Sequence, residues 1–203
     1  ASHVWAGLLS TIHHQLNDQF KLMAGIHGRY FQSELKQEVT DLLGGGFYID
    51  DYAWSLSGVA GRNQIKHVGD VVKVDNGSLI NYVALFAQLE YQRGPLNAFV
   101  AGTYNQNWYQ RTDEYNYVVN PKSEVVTKPG YDVKAGLNYN LNEYHNLYFN
   151  IGYFSKAPYF KFVFANFDNT PTENLENETV SAIELGYGLR YRKSWLRLNG
   201  YYT

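Results

Sequence analysis

The sequence predicts an all-β chain: an antiparallel, up-and-down transmembrane β-barrel wall, with about eight strands of a larger barrel. Apolar and polar residues alternate with period two over unusually long stretches. The connections between these stretches alternate short and long. The composition is extreme in aromatics, with 19 Tyr, 11 Phe and 4 Trp in 203 residues, which favours strands and turns over helices.

Taken in order, the first stretch (3–15) is apolar but alternates poorly, and its two faces stay unassigned. In the second (19–33), Phe20, Leu22, Ala24, Ile26 and Tyr30 oppose Lys21, Gly25, His27 and Arg29. In the third (80–92), Val83, Leu85, Ala87, Leu89 and Tyr91 oppose Gln88, Glu90 and Gln92. A fourth stretch (96–111) follows the tight turn Arg93-Gly94-Pro95. The fifth (130–141) sorts every position from Tyr131 to Leu141: Tyr131, Val133, Ala135, Leu137, Tyr139 and Leu141 against Asp132, Lys134, Gly136, Asn138 and Asn140. The sixth (145–157), seventh (179–192) and eighth (195–203) continue the pattern, with Ile183, Leu185, Tyr187 and Leu189 against Glu184, Gly186, Gly188 and Arg190 in the seventh. Stretches of this length exceed the usual strand of about 5–6 residues and suit a tilted membrane span of about 9–11 with an extension beyond it.

Short turns fall at Asn17-Asp18, Arg93-Gly94-Pro95, Asn142-Glu143-Tyr144 and Lys193-Ser194, and long connections at 34–79, 112–129 and 158–178. In a meander every second connection lies at the same end, so short turns and long loops segregate to opposite ends, as in outer-membrane barrels. Aromatic residues sit near strand ends on the apolar face. Tyr131 and Tyr139 would lie about 19 Å apart along the membrane normal at ~45° tilt, approximating two interfacial girdles.

The bulk properties exclude other classes. A net charge of −2 gives no basic footprint for nucleic acid. The absence of cysteine excludes disulfide scaffolds and thiolate metal sites. No run approaches the ~18 apolar residues of a spanning helix. No signal peptide opens the chain, and both ends look like strand interiors, so the expectation is a partial outer-membrane barrel domain over 1–203, with any plug domain and export signal outside this chain.

Possible chemical sites are few. His13 and His14 are adjacent in a strand and point to opposite faces, so their rings cannot chelate one ion together. Gly44-Gly45-Gly46 lacks the Lys-Ser/Thr of a phosphate cradle and reads as a loop hinge. Asp50-Asp51 and Asp113-Glu114 are expected to be solvated loop carboxylates, and Asp168 lacks the spacing of a calcium loop. No metal or cofactor is expected, and no catalytic residue: the chain is not expected to be an enzyme. The long loops are aromatic. Packing of those rings on one another is the bland account; the functional one makes Tyr52, Trp54, Tyr115 and Tyr117 a ligand-contacting platform.

One region carries a family resemblance. Gly152-Tyr153-Phe154-Ser155-Lys156-Ala157-Pro158-Tyr159-Phe160 precedes an Asn/Asp-rich loop, then Asn174-Leu175-Glu176-Asn177-Glu178, then Ala182-Ile183-Glu184-Leu185-Gly186-Tyr187. This resembles the late barrel region of TonB-dependent outer-membrane receptors, in an aromatic-rich style similar to those of Bacteroides-type bacteria. The match covers about 50 residues, and the other strands agree in style. The family's prolines are missing, with Glu173 and Asn177 in their places, and Glu176 stands where Lys is usual. The resemblance implies a barrel of about 22 strands with an N-terminal plug, located in the bacterial outer membrane and in contact with its lipid. It implies energy-coupled uptake of a scarce nutrient, with TonB engaged through the plug. Siderophore, corrinoid, haem, oligosaccharide and peptide all remain open as ligand. Two other readings stand beside this one: a passive porin or small barrel closed by these strands alone, and a soluble β-sandwich that binds carbohydrate.

Overall fold

The computed structural model describes residues 1–51, 63–117 and 119–203. Its strands are β1 Ser2–Gln15, β2 Phe20–Glu38, β3 Tyr48–Ile49, β4 Ile65–Lys66, β5 Val71–Arg93, β6 Leu96–Asp113, β7 Val126–Asn140, β8 His145–Lys156, β9 Glu178–Tyr191 and β10 Ser194–Tyr202; a short helix, α1, covers Phe160–Val163. Eight strands make one antiparallel sheet in the order β1-β2-β5-β6-β7-β8-β9-β10, while β3 and β4 form a separate two-stranded ribbon. Long strands pair only with their neighbours along the chain, as in a meander. No second large sheet faces this one among the described residues, which removes the β-sandwich reading.

Strand register assigns both faces. Leu89, Val100, Ala135, Ile151 and Ile183 pair in succession across five strands and form one apolar row. The adjacent row, Gln88, Ala101, Lys134, Gly152 and Ala182, belongs to the other face. The apolar face is exposed along its length, with Val83, Leu85, Val100, Val133, Ile151 and Leu185 all uncovered. A water-soluble domain would not leave so large a patch open. In a bilayer this surface meets lipid, and the alternation is the signature of a barrel wall. The same register settles β1: Leu8 pairs with Gly28 and Gly28 with Val83, so Val4, Ala6, Leu8 and Ile12 face outward and Trp5 and Leu9 inward.

Two aromatic levels bound the apolar band. Tyr91, Tyr139 and Tyr187 lie near the short-turn ends of β5, β7 and β9, and Tyr30, Tyr104, Tyr131 and Tyr153 lie toward the other end. Tyr30 and Tyr104 donate their hydroxyls to Gln32 (2.6 Å) and Gln106 (3.2 Å), the next outward residues along each strand. The outer face thus turns from apolar to polar at this level, as expected where a ring sits with its body in lipid and its hydroxyl in water.

The short turns are closed by side-chain chemistry suited to them. Asn17 Oδ1 accepts the amides of Gln19 (2.9 Å) and Phe20 (3.0 Å), and Asn142 Oδ1 accepts those of Tyr144 (2.9 Å) and His145 (3.0 Å). Gly94 supplies the positive φ of 54° between β5 and β6.

At the long-loop end the strands outrun their expected bounds. β2 continues to Glu38, β5 begins at Val71 and β7 begins at Val126. Above the lipid both faces meet water, so the ladder persists after the alternation that reveals it has faded. Pro129 lies within β7, where its carbonyl accepts the Asn177 side-chain amide at 2.7 Å.

Candidate functional site

The long connections are 39–70 (carrying β3 and β4), 114–125 and 157–177 (carrying α1). The last folds back over the inner face of the wall, above the membrane band. Tyr109, Val163 and Phe164 are buried together against Ile80, Val126, Phe160 and Leu175. Ile80, Tyr109 and Val126 are register partners on adjacent strands, so this small core sits on the lumen side. Tyr109 donates its hydroxyl to the Pro158 carbonyl at 2.8 Å, and burial pushes its pKa up to about 12. Lys128 Nζ donates to the Leu175 carbonyl (2.6 Å), and Asn177 Nδ2 to Ser155 Oγ (2.9 Å).

Beside this core a polar network joins the loops. Arg111 makes a buried ion pair with Asp113 at 3.0 Å and donates to Asn169 Oδ1 at 2.8 Å. Asn169 in turn donates to the Pro121 carbonyl (2.7 Å), and its backbone amide to Tyr117 Oη (3.3 Å). Asn116 Nδ2 donates to Asp113 Oδ2 (2.9 Å), and Tyr115 Oη to Asp50 Oδ2 (2.6 Å). The three loops are therefore one packed layer. The expectation of solvated loop carboxylates fails for Asp50 and Asp113, both 0% exposed. Each carboxylate is buried because a partner satisfies it. Their neighbours Asp51 and Glu114 are exposed, as expected.

The platform residues separate. Tyr52 and Trp54 lie outside the described residues. Tyr115 is only 4% exposed and bonded to Asp50, so its ring braces the layer and presents no face to a ligand, contrary to expectation. Tyr117 is half-buried, with its hydroxyl accepting from Asn169. In the third loop Phe160 and Phe164 pack inward, ring centroids 5.1 Å apart, while Tyr159, Phe162 and Phe167 stay exposed. Asp168 Oδ1 accepts the Thr170 amide (2.8 Å) as a local turn. No group of three His, Cys, Asp or Glu side chains placed to hold a metal occurs among the described residues.

Below the folded loop, the inner wall forms a cleft of about 770 Å³. Trp5, Phe31, Ile80 and Tyr109 are successive register partners across β1, β2, β5 and β6 and give it an apolar shelf. The next row holds Arg29, Tyr82 and Asn107. The Arg29 guanidinium lies 4.7 Å from the Tyr82 ring centroid, and its Nε donates to His27 at 3.1 Å. Tyr159 closes the cleft from the loop side, accepting from Lys156 Nζ at 2.6 Å, a bond that raises the Lys156 pKa. Loop composition gave no hint of this cleft. The available signal was the run of Ile80, Tyr82, Ala84 and Phe86 on the face of their strand that carries Gln88 and Glu90 below.

A single meander with an exposed apolar outer surface, a more polar inner surface and loops gathered at one end defines a membrane β-barrel wall. The family model "TonB dependent receptor-like, beta-barrel" matches residues 6–203, and the chain belongs to that family. This is a family of the Gram-negative outer membrane. Among solved structures the chain is similar to "Copper transporter OprC", with a TM-score of 0.66 at 13% identity over 98% of this chain, a likeness of fold alone. The chain spans 29% of that protein's length. No curated protein matches the sequence.

Proposed function

We propose that this chain is part of the wall and extracellular mouth of a TonB-dependent receptor that imports a scarce nutrient across the outer membrane. The wall acts as a scaffold and ligand funnel, without covalent chemistry of its own. The observation that carries the reading is the eight-stranded meander with its apolar band and inward-folded loop layer, together with the family match over 6–203. β1 and β10 are the sheet's two edges and do not pair with each other. Backbone groups in lipid need partners, which further strands of a larger barrel supply; this favours the receptor over a small barrel closed by these strands. A plug outside this chain would couple the mouth to TonB. Tyr52, Trp54 and Tyr117 are retained as proposed loop contacts to ligand. The test is a deletion strain compared with its parent and with a strain lacking TonB, scored for growth on limiting ferric siderophore, cobalamin, haem, oligosaccharide or peptide. The expected result is one shared growth defect in the two mutants, restored by the full-length gene. Equal growth of parent and deletion strain on every source would overturn the reading.

A further inference from the structure

The shelf and the polar row beneath it have a chemistry that narrows the ligand. The charged groups lining the cleft are Arg29 and Lys156 against Asp132 and Glu178, a balance of two and two. Both cations are already engaged, Arg29 with the Tyr82 ring and His27, and Lys156 with Tyr159 and, at 3.7 Å, Glu178. A cleft built for a polyanionic chelate or for propionates would converge unspent cations on its ligand. What is left over here is of another kind. Asp132 lines the cleft, and its Oδ2 is shielded from solvent with no hydrogen-bond partner among the described residues, an acceptor that gains a donor when the carboxylate turns toward the cleft. Trp5 lines the same cleft with its indole ring, as does the exposed Tyr159. Asn107 Nδ2 is engaged by Asn105 Oδ1 (2.8 Å) and the Lys128 carbonyl (3.4 Å), which leaves the Asn107 Oδ1 acceptor and the Asn105 Nδ2 donor on the cleft.

We propose that this cleft is a subsite for a neutral polyhydroxylated ligand, a saccharide chain. The C–H faces of its rings would stack on Trp5 and Tyr159, and its hydroxyls would bond to Asp132 and Asn107. Apolar ring faces edged by hydroxyl donors are complementary to aromatic planes flanked by acceptors and amides. The proposal rests on the reading of the protein as a transporter and deepens it by naming the ligand class.

The test uses the full-length receptor in detergent, with folding of each variant verified by heat-modifiable migration. Binding is measured to a panel of neutral oligosaccharides (α- and β-glucans, mannan, xylan and galactan fragments) and, in parallel, to a ferric catecholate, cobalamin and haemin. The expected result is binding of at least one neutral oligosaccharide, weakened roughly tenfold by Trp5→Ala, by Tyr159→Ala and by Asp132→Asn, with Trp5→Phe restoring part of the loss. Tyr159 is exposed, so its variant carries the test even if changes at Trp5 or Asp132 impair folding. The absence of binding to any oligosaccharide, or binding untouched by the variants that fold, overturns the proposal. TonB-dependent uptake of a siderophore, corrinoid or haem without saccharide binding would sink the saccharide subsite and leave the transport reading standing.

Discussion

At the scale of single residues, Tyr109 shows how a loop is fastened to a barrel wall. Its ring fills the core under α1 and its hydroxyl holds the Pro158 carbonyl at 2.8 Å. Because the folded-state pKa, about 12, lies above the ordinary tyrosine value, the proton is held more tightly in the folded loop. That contribution is fully present below pH ~10 and is lost as pH rises from about 10 through about 12. Exchange protection of residues 157–177, taken relative to the intrinsic base-catalysed rate, is expected to fall across this window. Tyr109→Phe should remove that fall and loosen the loop by about 1–2 kcal/mol, since the Pro158 carbonyl loses its donor. Gly25 marks a different constraint, close approach. A Cβ there would collide with the Ser10 carbonyl oxygen on β1 and the Phe86 ring on β5. The ring could turn aside, but backbone cannot, so Gly25→Ala is expected to destabilise the wall by about 1–3 kcal/mol, read as a lower urea midpoint for the folded barrel.

At the scale of elements, the second and third loops are joined because Arg111, at the end of β6, is shared between Asp113 and Asn169, and the first is tied to the second through Tyr115 and Asp50. Removing it leaves a fully buried carboxylate with the Asn116 donors and without its countercharge. Arg111→Ala is expected to cost about 3–5 kcal/mol locally. Protease should then cut within 114–125 and 157–177 while the wall still migrates as a folded barrel; loss of the barrel itself would show that the network supports more than the loops. Burial of Asp113 was not legible in the sequence, since an Asp-Glu pair in a loop has the same pattern whether solvated or buried. Only the arrival of Asn169, 58 residues from Arg111, distinguishes the cases. The upper reaches of β2, β5 and β7 were illegible for a related reason. A residue such as Asp75 or Lys128 is equally acceptable on either face once both faces are wet, so the period-two signal ends before the strand does.

At the scale of the whole molecule, the two faces of the wall answer to different solvents. Val100 lies midway between Leu96 and the upper-level Tyr104 on the exposed apolar face; Gln88 lies on the opposite face and donates to Glu90 at 2.7 Å. Val100→Arg is expected to cost about 2–4 kcal/mol in folding into lipid vesicles, a bilayer-midplane penalty. Gln88→Arg should stay within ~0.5 kcal/mol, since a long side chain at this half-buried position still reaches the water of the inner face. Equal effects at the two positions would mean that the faces are wrongly assigned.

The sequence by itself determined the wall: a period of two that survives from Tyr131 to Leu141, aromatic residues at strand ends, and long loops gathered at one end. These are local features, dictated by lipid on one side and water on the other, so they can be seen one strand at a time. The tertiary structure decided which way the loops fold, why Asp50 and Asp113 are buried, and that Tyr115 is a brace. It also placed Trp5, Phe31, Ile80 and Tyr109 in one row. That row joins residues some hundred positions apart through strand register, and register is set by pairing between strands, which no single stretch of sequence contains.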